Sequence, residues 1–272
     1  MLYVYGDDGA DEKSERVVSV AVVGGCEETW AELEPQWIGR CNGIPFHATD
    51  CESGHGDYEG IPHETNHAMY RDLVTLLVNS GVSGVGIAID LVAQRKIFPA
   101  SPNISHYRAF AETLVWVADL AENAGKVAEI VLDISAENKF NAHLIYSGIR
   151  GSESRYRNWL APKMSFVRAS ECARVQAADL LAYESWKVMD HTVGQFKRNR
   201  ASWAALRATG RFETRGYSEE WFFDLKRYLQ SGQAEKIAGF NEAQYRKWLA
   251  DQNRLNNLTN LFTFISLQNE KL

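Results

Sequence analysis

Apolar positions along this chain recur at two periods, and the two alternate. Residues 2–7 are mostly apolar and predict a short buried strand, followed by the polar, Gly-containing turn GDDGADEKSER. Residues 17–23 are rich in valine and predict a second strand, closed by Gly24-Gly25. A turn of this kind most simply gives an antiparallel hairpin. Trp30, Leu33 and Trp37 recur at helical spacing and predict a helix over 27–38. Residues 44–48 predict a short strand leading into the polar loop TDCESGHGDYEG. Pro62 then opens a helix with Met69, Leu73, Leu76 and Leu77 on its inner face. Strands are predicted over 82–90 and 127–133, and helices over 107–121 and 138–146. A basic loop (Arg150, Arg155, Arg157, Lys163) leads to a strand over 164–168 and a helix over 173–189. Strands alternating with helices after an opening hairpin predict an α/β layered domain on a mixed sheet.

After about Gly194 the pattern changes. The strand signal vanishes, and Lys197, Arg198, Arg200, Arg207, Arg211 and Arg215 accumulate. Helical patterns run from there to the end. The reading is an α/β domain over 1–192 and a C-terminal helical extension over 193–272. Composition narrows the class but not the reaction. The 272 residues, 45% hydrophobic and 11% aromatic, are ample for a packed core. A formal net charge of −6 gives no global pull toward nucleic acid or acidic membranes. Cys26, Cys41, Cys51 and Cys172 have no CxxC spacing, no signal-peptide pattern opens the chain, and no apolar run is long enough to cross a bilayer. A reduced, soluble, cytoplasmic protein is expected.

The candidate chemistry lies in the carboxylates. Three predicted strands stop on an aspartate: Asp7, Asp90 and Asp133. A carboxylate at a buried strand end is costly unless it is paired, and several brought together repel unless a cation lies between them. Alternation along the first strand puts Tyr3, Tyr5 and Asp7 on one face and Asp8 on the other; read alone, Asp7-Asp8-Gly9 also suits a polar turn. Asp133 could cap a helix, although Ser135 is the better cap candidate. Asp179 interrupts the apolar helix ARVQAADLLAYESWKVM, sharing a stripe with Gln176 and Tyr183. Those two could hydrogen-bond it, or it could bind a metal. Asp50 and Glu52 could reach such a metal, Glu52 being the stronger candidate for a fourth carboxylate.

Two further motifs compete. His63-Glu64-Thr65-Asn66-His67 matches HExxH, which on a helix sets two histidines one turn apart for zinc with the glutamate as base. It begins at a helix end, directly after Pro62, and lacks the downstream third ligand. Cys41, His47, Cys51 and His55 cluster without structural-zinc spacing and read as loop residues. Signatures of serine hydrolases, P-loops and dinucleotide-binding folds are absent. The stretch from Lys197 to Arg215, interleaved with Phe196, Trp203 and Phe212, could track a phosphate backbone or be a solvated helix face.

The opening GDDGADEK, FHATD, the strand IVLD and above all VQAADLLAY resemble motifs of the bacterial domain-of-unknown-function family 3800 over roughly residues 2–189. The resemblance implies a ribonuclease H-like fold, a mixed β-sheet flanked by helices. It also implies two divalent cations held by acidic residues of the first strand, a neighbouring parallel strand and a late helix. Those positions are Asp7, Asp133 and Asp179, with Gln176 the motif glutamine. Asp8 stands where the family has glutamate and Gly9 where it has serine; the helix-borne glutamate is unassigned among Glu52, Glu64 and Glu112.

The leading expectation is a nuclease dependent on Mg²⁺ or Mn²⁺, with Asp7, Asp133 and Asp179 as catalytic metal ligands and Glu52 a further candidate. Asp8, His47, Gln176 and Tyr183 would support the site. Arg155, Arg157, Lys163, Lys197, Arg198 and Arg200 would hold nucleic acid. The alternative is a non-catalytic nucleic-acid-binding or effector module on the same fold, associated with defence or mobile elements; the third is zinc hydrolysis at His63 and His67. Aromatic residues such as Trp221, Phe222 and Phe223 could form a homo-oligomer interface.

Overall fold

The computed structural model describes residues 1–11, 15–99, 105–136, 141–152, 154–194 and 199–230. The chain divides into two compact units, Met1–Ser218 and Glu219–Leu272. The first is a mixed α/β unit around a six-stranded sheet. Strands β1 (Leu2–Ala10), β2 (Val17–Gly25) and β3 (Ser83–Asp90) form an antiparallel meander. β4 (Ala128–Asp133) lies parallel to β1, and β5 (Ser165–Val167) parallel to β4. β6 (Phe212–Tyr217) adds in parallel beside β3, giving the order β5-β4-β1-β2-β3-β6. The valine-rich β2 is buried along its whole length, as a central strand covered on both faces must be.

Helix α1 (Glu27–Cys41) buries Trp30, Leu33 and Trp37, as their spacing predicted. Short helix α2 (Ala48–Ser53) and α3 (His63–Asn79) follow. β3 runs into α4 (Leu91–Ile97), whose N-cap is Asp90: its carboxylate accepts the Ala93 N–H at 2.9 Å. That capping bond explains Asp90 without any site. α5 (Ser105–Ala124), α6 (Ala142–Ser152) and α7 (Ser154–Trp159) come next, so the expected basic loop is largely helical. α8 (Ala173–Val193) and α9 (Ala201–Ala208) complete the unit. Among the described residues no helix is long and apolar enough to cross a membrane.

α8 and α5 lie on opposite faces of the sheet. A methyl on Gly9, Gly84 or Gly86 would meet α8, whereas one on Gly24 would meet Leu120 of α5. The alanines of α8 allow the close approach. At Gly86 an added Cβ would lie 2.6 Å from the Ser185 Cβ, an atom that no side-chain rotation can move. Gly86→Ala is therefore expected to destabilise the protein by about 1–3 kcal/mol, the usual cost of overpacking, read as a lower urea midpoint with an unchanged slope.

Two expectations differ from the structure. Residues 44–47 are not a strand; the Ile44 N–H donates to the Cys41 carbonyl and the Phe46 N–H to the Gln176 side chain of α8, not to a strand neighbour. Residues 193–272, expected to be all-helical, contribute β6 to the sheet, so the first unit extends to Ser218. In the second unit, α10 (Glu219–Gln230) opens with Glu219 and Glu220, favourable charges at a helix N-terminus. Trp221 and Phe222 stack edge to face at 5.2 Å, and Phe223 is exposed. The oligomer interface expected of the C-terminal helices lies mostly outside the described residues.

Candidate metal centre

Asp7 and Asp8 sit near the end of β1, in the middle of the sheet, and both are buried. Strand alternation separates them as the sequence predicted. Asp7 is on the α8 side, in line with Gly9, whose Cβ position meets Ala182. Asp8 approaches His106 of α5, with 3.7 Å to its Nε2, and accepts the Ser135 hydroxyl at 3.2 Å. Asp133 ends β4, the parallel neighbour of β1, and Asp179 is on α8; both are buried. The fold thus brings to one region four carboxylates that the sequence scatters.

Their mutual field is visible at Asp7. Burial drives its carboxyl well above the usual range, and the negative charges of Asp179, Asp8 and Asp133 push it further. Its one opposing contact of note is the Asp8 N–H, donated at 2.8 Å. Asp179 is raised to about 6, chiefly by burial, with Asp8 and Asp50 adding to the shift while His47 and the Ala48 N–H oppose it.

Three of the four, Asp7, Asp133 and Asp179, are also held by backbone N–H groups. Asp133 accepts the Ser135 N–H at 2.7 Å and the Ala169 N–H at 2.8 Å, one on each oxygen. Asp133, rather than Ser135, is therefore the residue that caps the turn after β4. Asp179 accepts the Ala48 N–H at 2.7 Å. Neither Gln176 nor Tyr183 bonds it, contrary to one expectation. Gln176 instead accepts from Trp37 Nε1 and the Phe46 N–H, both at 3.1 Å, and donates to the Ala169 carbonyl at 2.9 Å. Gln176 and Asp179 together staple residues 46–48 to α8. Ala169, bonded on one side to Asp133 and on the other to Gln176, joins the strand carboxylate to the helix. His47, carried by the stapled segment, pairs its Nδ1 with Asp50 at 2.9 Å.

Other expected site residues lie in different company. Glu52 is engaged by the Tyr183 hydroxyl and by Arg200 Nη1 at 2.8 Å. Burial alone would raise its carboxyl, but Arg200 and Tyr183 overcome this and hold it below its ordinary value. Arg200 also bonds Glu184 through Nε and Nη2, at 2.9 and 2.7 Å. This leaves it committed to carboxylates and not to a phosphate. Arg155 pairs with Asp119 and Glu122. Arg157 and Lys163 are exposed; Lys197 and Arg198 lie outside the described residues. Of the three candidates for the helix-borne glutamate, Glu64 is exposed and Glu112 is buried on α5 facing Arg215.

His63 and His67 stack edge to face at 4.1 Å on the first turn of α3. Among the described residues no third His, Cys, Asp or Glu joins them, and no three such side chains anywhere stand disposed to share one metal ion as they are placed. This holds for the aspartate cluster too. Its charge is concentrated, but four of its oxygens accept backbone amides. The buried Glu184 and its partners gave no sequence signal, because they are distant in the chain and Glu184 reads as one polar residue in an apolar helix. Comparison with protein-family models and with curated proteins finds no match.

Proposed function

We propose that this protein is a divalent-metal-dependent phosphodiesterase acting on nucleic acid, built on a ribonuclease H-like fold. The observation that carries the reading is the buried Asp7 carboxylate, surrounded by the like charges of Asp179, Asp8 and Asp133 with no lysine or arginine paired to it among the described residues. Such a cluster needs either protons or a cation. The positions agree with what the resemblance to domain-of-unknown-function family 3800 implies: first strand, neighbouring parallel strand, late helix.

The donor chemistry fits Mg²⁺ or Mn²⁺, which take carboxylate oxygens. Amide bonding does not disqualify the set, because an ionised carboxylate offers about four lone-pair sites and an oxygen bonded to one N–H retains another. Bound there, such ions supply charge stabilisation to a phosphodiester and a water acidic enough to attack it. Asp7, Asp133 and Asp179 would hold them. Gln176 fixes the two backbone segments that support Asp133 and Asp179. Arg157 and Lys163, exposed on the approach to β5, are available to a phosphate backbone.

Purified protein with Mn²⁺ is expected to cut labelled single- or double-stranded DNA or RNA. Asp133→Asn should reduce cutting to background while shifting the melting temperature by only a few degrees, since asparagine also caps. The amide bonds favour a second reading, a non-catalytic effector module in which Asp133 is a cap and Asp179 a staple. Failure of the wild-type protein to cut any of these substrates in Mn²⁺ would favour that reading.

A further inference from the structure

The cations that the sequence offered for substrate binding are in part neutralised, since Arg155 and Arg200 are both ion-paired. Lys187 is different. It is half-buried on α8 and makes no ion pair among the described residues. Its Nζ lies 4.1 Å from the ring centre of Trp186 and 5.1 Å from that of Tyr183, two rings that meet edge to face at 5.2 Å. Aromatic faces hold an ammonium in place through their quadrupole but carry no net charge, so they position it without neutralising it.

Its place on the helix matters as much. Gln176, Asp179, Tyr183 and Lys187 follow at steps of three, four and four residues, the spacing of one helix stripe. Lys187 therefore lies on the same side of α8 as Asp179, about 12 Å along the axis at the usual rise per residue. That is the length of roughly two to four nucleotides. Burial also lowers the ammonium's pKa, while Glu52 opposes the shift; an unpaired cation in such a setting gains from an anionic partner.

We infer that Lys187, seated on Trp186 and Tyr183, is a phosphate-binding residue that holds the nucleic-acid strand a few nucleotides from the aspartate cluster. This rests on the nuclease reading, and the experiment separates the two. Fluorescence anisotropy with labelled oligo(dT), in Ca²⁺ and over a range of salt concentrations, compares wild type, Lys187→Gln and Lys187→Arg. Lys187→Gln is expected to weaken binding about fivefold and to reduce the salt slope by about 0.7, the value for one phosphate contact on a single strand. Lys187→Arg is expected to restore both. Unchanged affinity and slope in Lys187→Gln would overturn the assignment, and so would an absence of wild-type binding. Cleavage by the wild type in Mn²⁺, measured alongside, reports on the nuclease reading independently of either result.

Discussion

Replacing Glu184 by alanine is expected to destabilise the protein by about 3–5 kcal/mol, the usual consequence of leaving a buried charge without its partner. Glu184 is 0% exposed. Its oxygens accept Arg200 at 2.7 and 2.9 Å, the Tyr70 hydroxyl at 2.6 Å and the Ser202 hydroxyl at 2.7 Å. Arg200, 7% exposed in its side chain, reaches on to Glu52. One buried carboxylate thus ties α8 to α3, to the start of α9 and, through Arg200, to α2. Removing it would leave Arg200 with a single carboxylate and Tyr70 with an unpaired hydroxyl. A domain of this size melts about 2–4 °C lower for each kcal/mol lost, so the fall in thermal midpoint should be about 6–20 °C. Glu184→Gln should cost less, because it keeps acceptor capacity for Tyr70 and Ser202 while losing only the charge. Equal losses for the two variants would assign the effect to the ion pair and not to the hydrogen bonds from Tyr70 and Ser202.

The second large effect has the opposite sign. In metal-free protein, Asp7→Asn is expected to raise stability at neutral pH. Asparagine keeps an acceptor for the Asp8 N–H but removes one of four clustered charges. The pH dependence follows from the direction of the shifts. Asp7 and Asp179 both titrate above the ordinary carboxylate value near 3.8, Asp179 at about 6. Over that window the folded state binds more protons than the unfolded state, so the stability these groups contribute is fully present below about pH 4. It is lost as pH rises through about 6 for Asp179. The advantage of Asp7→Asn over wild type in EDTA should thus be on the order of 1–3 kcal/mol at pH 8 and should vanish on approach to pH 4. Glu52, held below its ordinary value, responds in the other direction, losing its contribution as pH falls. It is common to both proteins and cancels in the difference. A constant advantage at all pH values would mean that Asp7 is not a strained charge.

Much of this arrangement was legible in the sequence. The apolar runs gave the strands β1 to β4 and the β1–β2 hairpin, the resemblance implied a parallel neighbour for β1, and period-two alternation gave the separation of Asp7 from Asp8. The helix pattern around Asp179 gave α8. What the sequence hid was long-range or locally ambiguous. β6 reads FETRGY, with arginine and glutamate in an edge strand that is only partly buried, so it passed as part of a basic helical stretch. Residues 44–48 looked like a strand because they are mostly apolar, but the Phe46 and Ala48 N–H groups reach the side chains of Gln176 and Asp179, 130 and 131 residues away. Arg200 looked like a phosphate ligand because Glu52, 148 residues earlier, is invisible to local charge counting. Asp90 resembled the site aspartates until the helix it caps was seen.

A nuclease of this kind requires a divalent ion that relieves the charge around Asp7. The direct measurement is the melting temperature at pH 7.5 of wild type and Asp7→Asn, each in EDTA and in excess Mn²⁺. Binding to the folded state alone at a hundredfold excess over the dissociation constant adds about 2.7 kcal/mol, so wild type should melt about 5–10 °C higher with Mn²⁺. Asp7→Asn should begin higher than wild type and gain little. A wild-type melting temperature that Mn²⁺ leaves unchanged, or an equal rise in both proteins, would contradict the metal centre and with it the nuclease.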